Sequence, residues 1–250
     1  MLPAFGETKK SRLVALVSGT PNKAARVAAE YGVRPEAVYD YTGLDRIRDN
    51  PEIKVVYIIL PNALHKEYTI RAAQAGKDVL CEKPMAVSSA EGQAMVDACR
   101  AAQRKLMIAY RCQYEPYNRE VLRMVREQVL GPARFIDAVN TQNQGDPTQW
   151  RLKRALAGGG SLPDIGLYCL NAARFLTGEE PIEVFARTFS PPGDPRFGEV
   201  EETVNFMLRF PSGVVANCAS SYGMHESRFL RVHTPGGAIS LDGAFAYGDK

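Results

Sequence analysis

The chain has 250 residues, enough for one large domain or two smaller ones with a buried core. Hydrophobic residues make up 45% and charged residues 24%, as in an ordinary globular protein, and the net charge is only +3. Basic residues do not cluster with aromatic ones, so nucleic-acid binding is not expected. The longest apolar run, Val55–Leu60, is too short to span a membrane, so no membrane partner is expected either.

The cysteines and histidines exclude two further classes. The five cysteines are widely spaced, which predicts free, buried thiols rather than a disulfide framework or a CxxC metal pair. The three histidines have neither HxxxH nor HExxH spacing, so no metal site is expected. The start of the chain lacks the pattern of a signal peptide, which favours a cytoplasmic protein.

The first half of the chain alternates apolar runs with helical patterns. The runs predict strands at 13–17, 55–60, 78–81 and 106–110. Helices are predicted at 23–31, 65–75 and 88–102. Asn22 and Gly32 are the expected start and stop of the first helix, and Ser88 and Glu91 form a capping box for the last. Continuous apolar strands separated by helices predict a doubly wound α/β domain with a parallel sheet.

The pattern changes after a helix predicted at 117–129. Val204–Phe210 alternates apolar and polar residues, and Pro-Ser-Gly then turns the chain into a strand at 214–221. Further strands are predicted at 228–232 and 238–241. Alternating strands joined by tight turns predict a mostly antiparallel sheet with one packed face.

The printed chain has no Gly-rich phosphate loop. A dinucleotide-binding domain opens with a strand and a GxGxxG turn, which brings a pyrophosphate to a helix N-terminus. The only glycine cluster, Gly158–Gly160, lies far downstream and is interpreted as a flexible approach to the next helix. We therefore expect an incomplete dinucleotide-binding domain over residues 1–112 and an α+β domain, truncated at its C-terminus, over residues 113–250.

A lysine lies where open parallel sheets bind their ligands. The segment Cys81-Glu82-Lys83-Pro84 begins at the end of a predicted strand, and ligands of such sheets lie beyond the carboxyl ends of the strands. Lys83 could bond to a substrate hydroxyl and stabilise an alkoxide as hydride leaves the carbon. A solvated surface lysine before a proline turn is the alternative.

A second segment combines an acid and a phenol. Asp164 and Tyr168 are four residues apart, which places both on one face of a helix. Together they could orient a hydroxyl and exchange its proton, and a nearby lysine would lower the pKa of the tyrosine. The alternative is an acid at a helix start and a tyrosine half-buried in the core.

These segments occur in the same order as the motifs of a known family. The matching segments are Tyr39-Asp40-Tyr41, Pro61-Asn62-x-x-His65, Glu82-Lys83-Pro84, Tyr110-Arg111, Trp150-Arg151, Gly158-Gly159-Gly160-Ser161-x-x-Asp164-x-Gly166-x-Tyr168 and Gly178-Glu179-Glu180-Pro181. This order resembles the Gfo/Idh/MocA oxidoreductases, especially their glucose–fructose oxidoreductase branch. The resemblance implies a Rossmann-type domain followed by a domain whose open sheet often forms subunit interfaces, so a homo-oligomer is expected.

The resemblance also implies roles for individual residues. Catalytic roles are implied for Lys83, Asp164 and Tyr168, and tyrosine at the last position is typical of the glucose–fructose oxidoreductase branch. Cofactor contacts are implied for Ser18, Lys23, Tyr41, Pro61, Asn62, His65, Glu82, Lys83, Arg111, Trp150 and Arg151.

The cofactor prediction depends on the end of the first predicted strand. An acidic residue there would hold the ribose 2′-hydroxyl of NAD, but the chain has Ser18, followed by Lys23 and Arg26, which suit a phosphate. The resemblance assigns that contact to Ser18 and Lys23 and places Tyr41 near the adenine. We therefore expect NADP in preference to NAD.

The sequence leaves three functions open. The leading hypothesis is an NADP-dependent oxidoreductase that moves a hydride to or from a carbon of a sugar or polyol. A dehydrogenase of inositol or another cyclic polyol is the closest alternative. A non-catalytic association module without a phosphate loop is the third. A periplasmic location would follow if a signal segment preceded the printed start.

Overall fold

A computed structural model describes residues 2–247, which divide into two compact units. The first unit extends to Ala109, except for Pro61–Ala63, which belong to the second unit. The second unit otherwise begins at Tyr110. Within the described part of the chain, no helix combines the length and the apolar character that a membrane crossing requires.

The first unit contains only parallel strand pairs among its described residues. Strands β1 (Leu16–Val17) and β2 (Val38–Tyr39) form one pair. Strands β3 (Val55–Ile58), β4 (Asp78–Cys81) and β5 (Leu106–Ile108) form a three-stranded sheet with β4 in the centre. The predicted parallel arrangement is confirmed, although several strands are shorter than expected.

Three helices connect these strands: α1 (Pro21–Tyr31), α2 (His65–Gln74) and α3 (Ser89–Ala101). Two predicted caps are confirmed: the Ser88 hydroxyl accepts the backbone N–H of Glu91 at 3.2 Å, and Gly32 ends α1 with φ +67°. The prediction that Asn22 caps α1 is wrong. The helix already begins at Pro21, because proline suits a first turn whose N–H groups have no partner within the helix.

The core of the first unit lies around the three-stranded sheet. Val79 and Cys81 of β4 are buried together with Ala72 of α2 and Met95 of α3. The edge strands of this sheet are less covered than β4, since Val55 of β3 and Met107 of β5 are exposed.

The second unit is built on a six-stranded sheet. Its strands are β6 (Phe135–Asn143), β7 (Glu183–Phe189), β8 (Thr203–Arg209), β9 (Val215–Ser221), β10 (Gly223–Thr234) and β11 (Gly237–Asp242). They lie in the order β11-β10-β6-β9-β8-β7. All neighbours are antiparallel except β6 and β9, so the predicted mostly antiparallel sheet is confirmed.

One face of this sheet carries the core of the second unit. Helices α4 (Pro116–Arg126) and α6 (Leu167–Thr177) contribute buried apolar residues there, and a short helix α5 (Arg154–Ala157) precedes α6. Strand β8 follows the predicted alternation, since Val204 and Phe206 are buried and Met207 is exposed on the opposite face.

The cysteines agree with the sequence prediction of free, buried thiols. All five are buried, and none of them forms a disulfide bond within residues 2–247. Burial raises the pKa of Cys81 and of Cys218 to about 12, because the thiolate would lose its hydration. These thiols are therefore core residues rather than nucleophiles.

Candidate active site

The turn after β4 holds Lys83 in a fixed environment. The Tyr57 hydroxyl donates to Oε1 of Glu82 at 2.5 Å, and the backbone N–H of Lys83 donates to Oε2 of the same carboxylate at 3.2 Å. Lys83 is half-buried, and its peptide bond to Pro84 is cis. Glu82 therefore anchors the backbone that presents the lysine at the carboxyl end of the central strand.

His65 supports the same turn from the start of α2. The ring is fully buried, with Nδ1 2.8 Å from the Pro84 carbonyl oxygen and Nε2 2.9 Å from the Leu60 carbonyl oxygen. Both nitrogens are thus directed at backbone acceptors of the first unit. The ring therefore joins the segment after β3 to the turn that carries Lys83, and the expected cofactor contact of His65 stays a prediction.

The predicted adenosine contacts lie around the end of β1. The Ser18 N–H donates to the Tyr39 carbonyl at 3.0 Å, and the Ser18 hydroxyl accepts the Thr20 N–H at 3.2 Å. The Tyr41 ring packs so closely on Gly19 that an added Cβ would lie 2.8 Å from a ring carbon. Ser18 and Tyr41 therefore flank one turn.

The helix that follows this turn has no negative charge at its start. Lys23 is exposed in the first turn of α1, and that turn contains no acidic residue. A helix N-terminus attracts anions, and the ammonium of Lys23 adds to this attraction. The residues around the turn therefore fit the 2′-phosphate of NADP better than a bare ribose.

Pro61 and Asn62 belong to the second unit. Asn62 is buried, and its Nδ2 donates to the Ala157 carbonyl at the end of α5 at 2.9 Å. Pro61 is half-buried. The side-chain amide of Asn62 thus fixes this short segment, and the expected cofactor contact stays a prediction for both residues.

The glycine cluster after α5 is tightly packed, so the flexible approach expected from the sequence is wrong. A Cβ on Gly160 would lie 1.9 Å from the Glu201 carbonyl oxygen. A Cβ on Gly166 would lie 2.7 Å from Oγ of Ser220 on β9. Glycine is needed at both positions because the backbone approaches the sheet more closely than any side chain would allow. This close approach sets the position of the segment between them, which contains Asp164.

Asp164 lies in a π-helical turn, Leu162–Gly166, that directly precedes α6. The sequence predicted one α-helical face for Asp164 and Tyr168, but a π turn holds more residues and rotates the side chains relative to each other. Oδ2 of Asp164 accepts the Tyr222 hydroxyl at 2.6 Å and Nε of Arg151 at 3.2 Å. Its carboxylate is therefore held by residues outside its own helix.

Tyr168 is buried in the first turn of α6. Its ring centroid is 5.4 Å from that of Tyr110 and 5.9 Å from that of Phe245, and its hydroxyl lies 3.4 Å from the Tyr247 hydroxyl. Burial raises the pKa of Tyr168, and the contact with Tyr247 acts in the same direction, whereas Arg111 lowers it. Desolvation therefore outweighs Arg111, and the effect expected from a nearby lysine stays a prediction.

Among the described residues, one N–H group of Arg111 has no acceptor. Its Nη2 donates to the Phe245 carbonyl at 2.6 Å, and its Cζ lies 3.8 Å from the Tyr247 ring centroid and 5.8 Å from that of Tyr168. Its Nε is buried and makes no hydrogen bond to any residue between 2 and 247. Such a group is costly unless it is satisfied, so Arg111 fits an acceptor atom of a bound cofactor or substrate.

Arg151 lies beside Asp164, and Trp150 packs on the guanidinium of Arg151. The Arg151 guanidinium carbon lies 4.6 Å from the Trp150 ring centroid, a cation–π distance. Arg151 thus has a contact of its own within the second unit, through Nε to Asp164. A cofactor contact for either residue remains a prediction.

Two tyrosines of this region were missed by the sequence analysis. Tyr222 had a usable signal in the sequence, because the alternation that includes Ala216 and Cys218 of the predicted strand continues to it. Tyr247 follows a predicted strand and carried no pattern. Lys83 belongs to the first unit, whereas Asp164 and Tyr168 belong to the second.

Two family profiles match the chain. Residues 1–110 match the oxidoreductase family with an NAD-binding Rossmann fold, and residues 118–240 match the GFO/IDH/MocA C-terminal domain. The chain belongs to the Gfo/Idh/MocA oxidoreductases.

Solved structures and curated relatives agree with this membership. The aldose–aldose oxidoreductase of Caulobacter crescentus, solved with glycerol, is 51% identical with a TM-score of 0.97, over 99% of this chain and 74% of that one. A variant of a 3-ketoreductase from Actinomadura kijaniata, solved with TDP-benzene and NADP, is 26% identical with a TM-score of 0.86, over 98% and 72%. The NADP(+)-dependent D-xylose 1-dehydrogenase of Haloarcula marismortui is 34% identical, over 98% of this chain and 68% of the relative.

Proposed function

We propose that this Gfo/Idh/MocA chain is an NADP-dependent oxidoreductase that transfers a hydride to or from a hydroxyl-bearing carbon of an aldose. The observation that carries the proposal is the 51% identity with an aldose–aldose oxidoreductase over 99% of the chain. The 34% identity with a D-xylose 1-dehydrogenase [NADP(+)] points to the same substrate class and cofactor.

The proposed cofactor contacts are divided among residues with different chemistry. Ser18 and Lys23 would hold the 2′-phosphate, and Tyr41 would pack on the adenine. The unsatisfied Nε of Arg111 would donate to an acceptor of the bound molecules. When bound, NADP supplies the hydride carrier. The remaining residues of the proposed set are Pro61, Asn62, His65, Glu82, Trp150 and Arg151.

Three side chains would act on the sugar. Lys83 would donate to the reacting oxygen and stabilise negative charge on it. Asp164, already held by two donors through Oδ2, would accept a sugar hydroxyl and orient the ring. Tyr168 would exchange the proton of the reacting hydroxyl. This assignment requires Lys83 to face Asp164 and Tyr168 when substrate is bound.

The first test measures substrate and cofactor together. We expect the chain to reduce NADP⁺ in the presence of D-xylose or D-glucose, and to prefer NADP⁺ to NAD⁺. The Lys23→Ala variant lacks the ammonium group. It should bind NADP roughly tenfold more weakly and NAD as well as the wild type does, because only NADP carries the 2′-phosphate. Steady-state absorbance of the reduced nicotinamide and thermal-shift titration with each dinucleotide provide the two measurements.

A matched control lies one turn further along α1. Arg26 is also exposed, so Arg26→Ala removes a similar charge without touching the proposed phosphate contact. Equal affinity for the two dinucleotides would overturn the cofactor assignment. Turnover of myo-inositol alone would favour the cyclic-polyol dehydrogenase. If the chain neither binds a dinucleotide nor turns over a substrate, the non-catalytic association module would be the hypothesis that remains.

We also propose that the chain forms a homo-oligomer through the sheet face opposite α4 and α6. Phe185 of β7 pairs with Met207 of β8 on that face, and their residues are 56% and 43% exposed. Exposed apolar residues in a contiguous patch are typical of an interface.

Light scattering tests this proposal. The wild-type chain should be larger than a monomer at micromolar concentration, and Phe185→Asp should shift it towards the monomer, because a buried unpaired charge opposes association. Val184→Asp is the matched control, since Val184 is the adjacent exposed residue on the other face of β7. A monomeric wild type, or equal effects of the two variants, would count against this interface.

A further inference from the structure

The Asp164 carboxylate is held by two donors that converge on a single oxygen. The Tyr222 hydroxyl lies 2.6 Å from Oδ2 and Nε of Arg151 lies 3.2 Å from the same atom. The Asp164 side chain is only 16% exposed and Tyr222 is fully buried, so the bond between them is shielded from solvent, whereas Arg151 is 38% exposed. Charge-assisted hydrogen bonds in such surroundings fix the orientation of a carboxylate and favour its ionised form.

Tyr222 is a rigid donor. It is fully buried, with Leu152, Ile165 and Phe197 in the same apolar cluster. Its backbone N–H donates to the Glu202 carbonyl at 3.0 Å, and its carbonyl accepts the Gln144 N–H at 2.8 Å. The phenol therefore has little freedom to follow a moving carboxylate, so it sets the position of Oδ2 rather than adapting to it.

The local backbone makes such a support necessary. Asp164 lies in a π turn, and the regular spacing of an α-helix does not fix its direction relative to Tyr168. The turn itself is held at Ile165, whose carbonyl accepts Nδ2 of Asn140 at 3.0 Å. Backbone contacts thus fix the position of the π turn, whereas Tyr222 and Arg151 fix the orientation of the Asp164 side chain.

We infer that Tyr222 is a positioning residue of the proposed active site: its phenol, with Arg151, holds the Asp164 carboxylate as an ionised acceptor for a sugar hydroxyl. The inference rests on the proposed function, since it gives Asp164 a substrate to orient. Neither the sequence resemblance nor the family membership singled out Tyr222.

The surrounding charges support a donor role for this phenol. Burial raises the pKa of Tyr222, and the neighbouring carboxylate of Asp164 acts in the same direction, so the hydroxyl keeps its proton. Arg151 acts in the opposite direction but is the smaller influence. Glu201, the other carboxylate that raises this pKa, accepts the Leu162 N–H at 3.1 Å.

Tyr222→Phe tests the inference because it removes one hydroxyl and keeps the ring. We expect kcat/KM for the sugar to fall roughly tenfold, as for a lost hydrogen bond to a charged group, with little change in NADP affinity. Weaker stabilisation of the carboxylate should also move the acidic limb of the kcat/KM–pH profile upward by about one unit. The sign follows because activity needs the ionised acid, which the variant protonates at higher pH.

A second measurement does not depend on turnover. It uses ¹³C NMR of cofactor-free protein labelled at the aspartate carboxyl carbons. The Asp164 resonance is assigned as the one that disappears in Asp164→Asn. This resonance should titrate about one pH unit higher in Tyr222→Phe than in the wild type. Tyr39→Phe is the matched control, because Tyr39 is a buried tyrosine of the first unit whose hydroxyl accepts Nδ2 of Asn50 at 3.2 Å. It should leave both titrations unchanged.

The outcomes separate this inference from the proposed function. Full activity of Asp164→Asn would overturn the proposed function at this site. If Asp164→Asn loses activity but Tyr222→Phe shifts neither the pH profile nor the Asp164 titration, only the inference would be overturned. A lowered melting temperature of Tyr222→Phe without either shift would mean that the tyrosine is purely structural, which also overturns it.

Discussion

Lys83→Met is expected to lower kcat on the order of a hundredfold or more, as does removal of a donor to a developing oxyanion. Methionine keeps the length and the apolar stem of the side chain but removes the ammonium. The loss should fall mainly on kcat, because the charge on the reacting oxygen develops fully only in the transition state. Steady-state kinetics with NADP⁺ and an aldose measure it.

The surroundings of Lys83 make this variant informative. Its backbone is fixed by Glu82 and by His65 through Pro84, and neither contact uses the ammonium group. The variant should therefore fold and bind NADP as the wild type does. Lys66→Met is the matched control, since Lys66 is a partly exposed lysine of the same unit paired with Glu91 at 2.9 Å. Equal kcat values for Lys83→Met and wild type would contradict the assigned role.

Tyr168→Phe is expected to lower turnover by about a hundredfold or more, because it removes the group proposed to exchange the proton of the reacting hydroxyl. The phenyl ring keeps its contacts with Tyr110 and Phe245, so the melting temperature should change little. Since burial raises the pKa of Tyr168, any limb of the pH profile that this phenol causes should lie on the alkaline side. Its loss in the variant can be measured together with kcat.

A neighbouring tyrosine provides the control for this substitution. Tyr110 is also buried and donates its hydroxyl to the Tyr168 backbone carbonyl at 3.1 Å. Tyr110→Phe removes a hydroxyl from the same cluster without removing the proposed proton carrier, so its effect on kcat should be much smaller. Similar losses in both variants would mean that Tyr168 acts through packing rather than through its hydroxyl.

The sequence by itself determined the classes of sheet and most element positions. Strand β4 spans the predicted residues, and the capping residue Ser88 and the stop at Gly32 are as expected. Periodicity, caps and turns depend on residues close together in the chain, so their physics can be deduced from a short window. The ordered motifs likewise identified the family.

Only the tertiary structure decided how the site is supported. The bond from Tyr222 to Asp164 joins residues 58 apart, and that from Asn62 to Ala157 joins residues 95 apart. The close approach of Gly160 to Glu201 and the π turn around Asp164 likewise depend on the sheet beneath them. Such contacts leave no local periodicity in the sequence, because each residue's role is set by a distant partner. The pKa of Tyr168 likewise depends on the packed core, because burial raises it more than Arg111 lowers it.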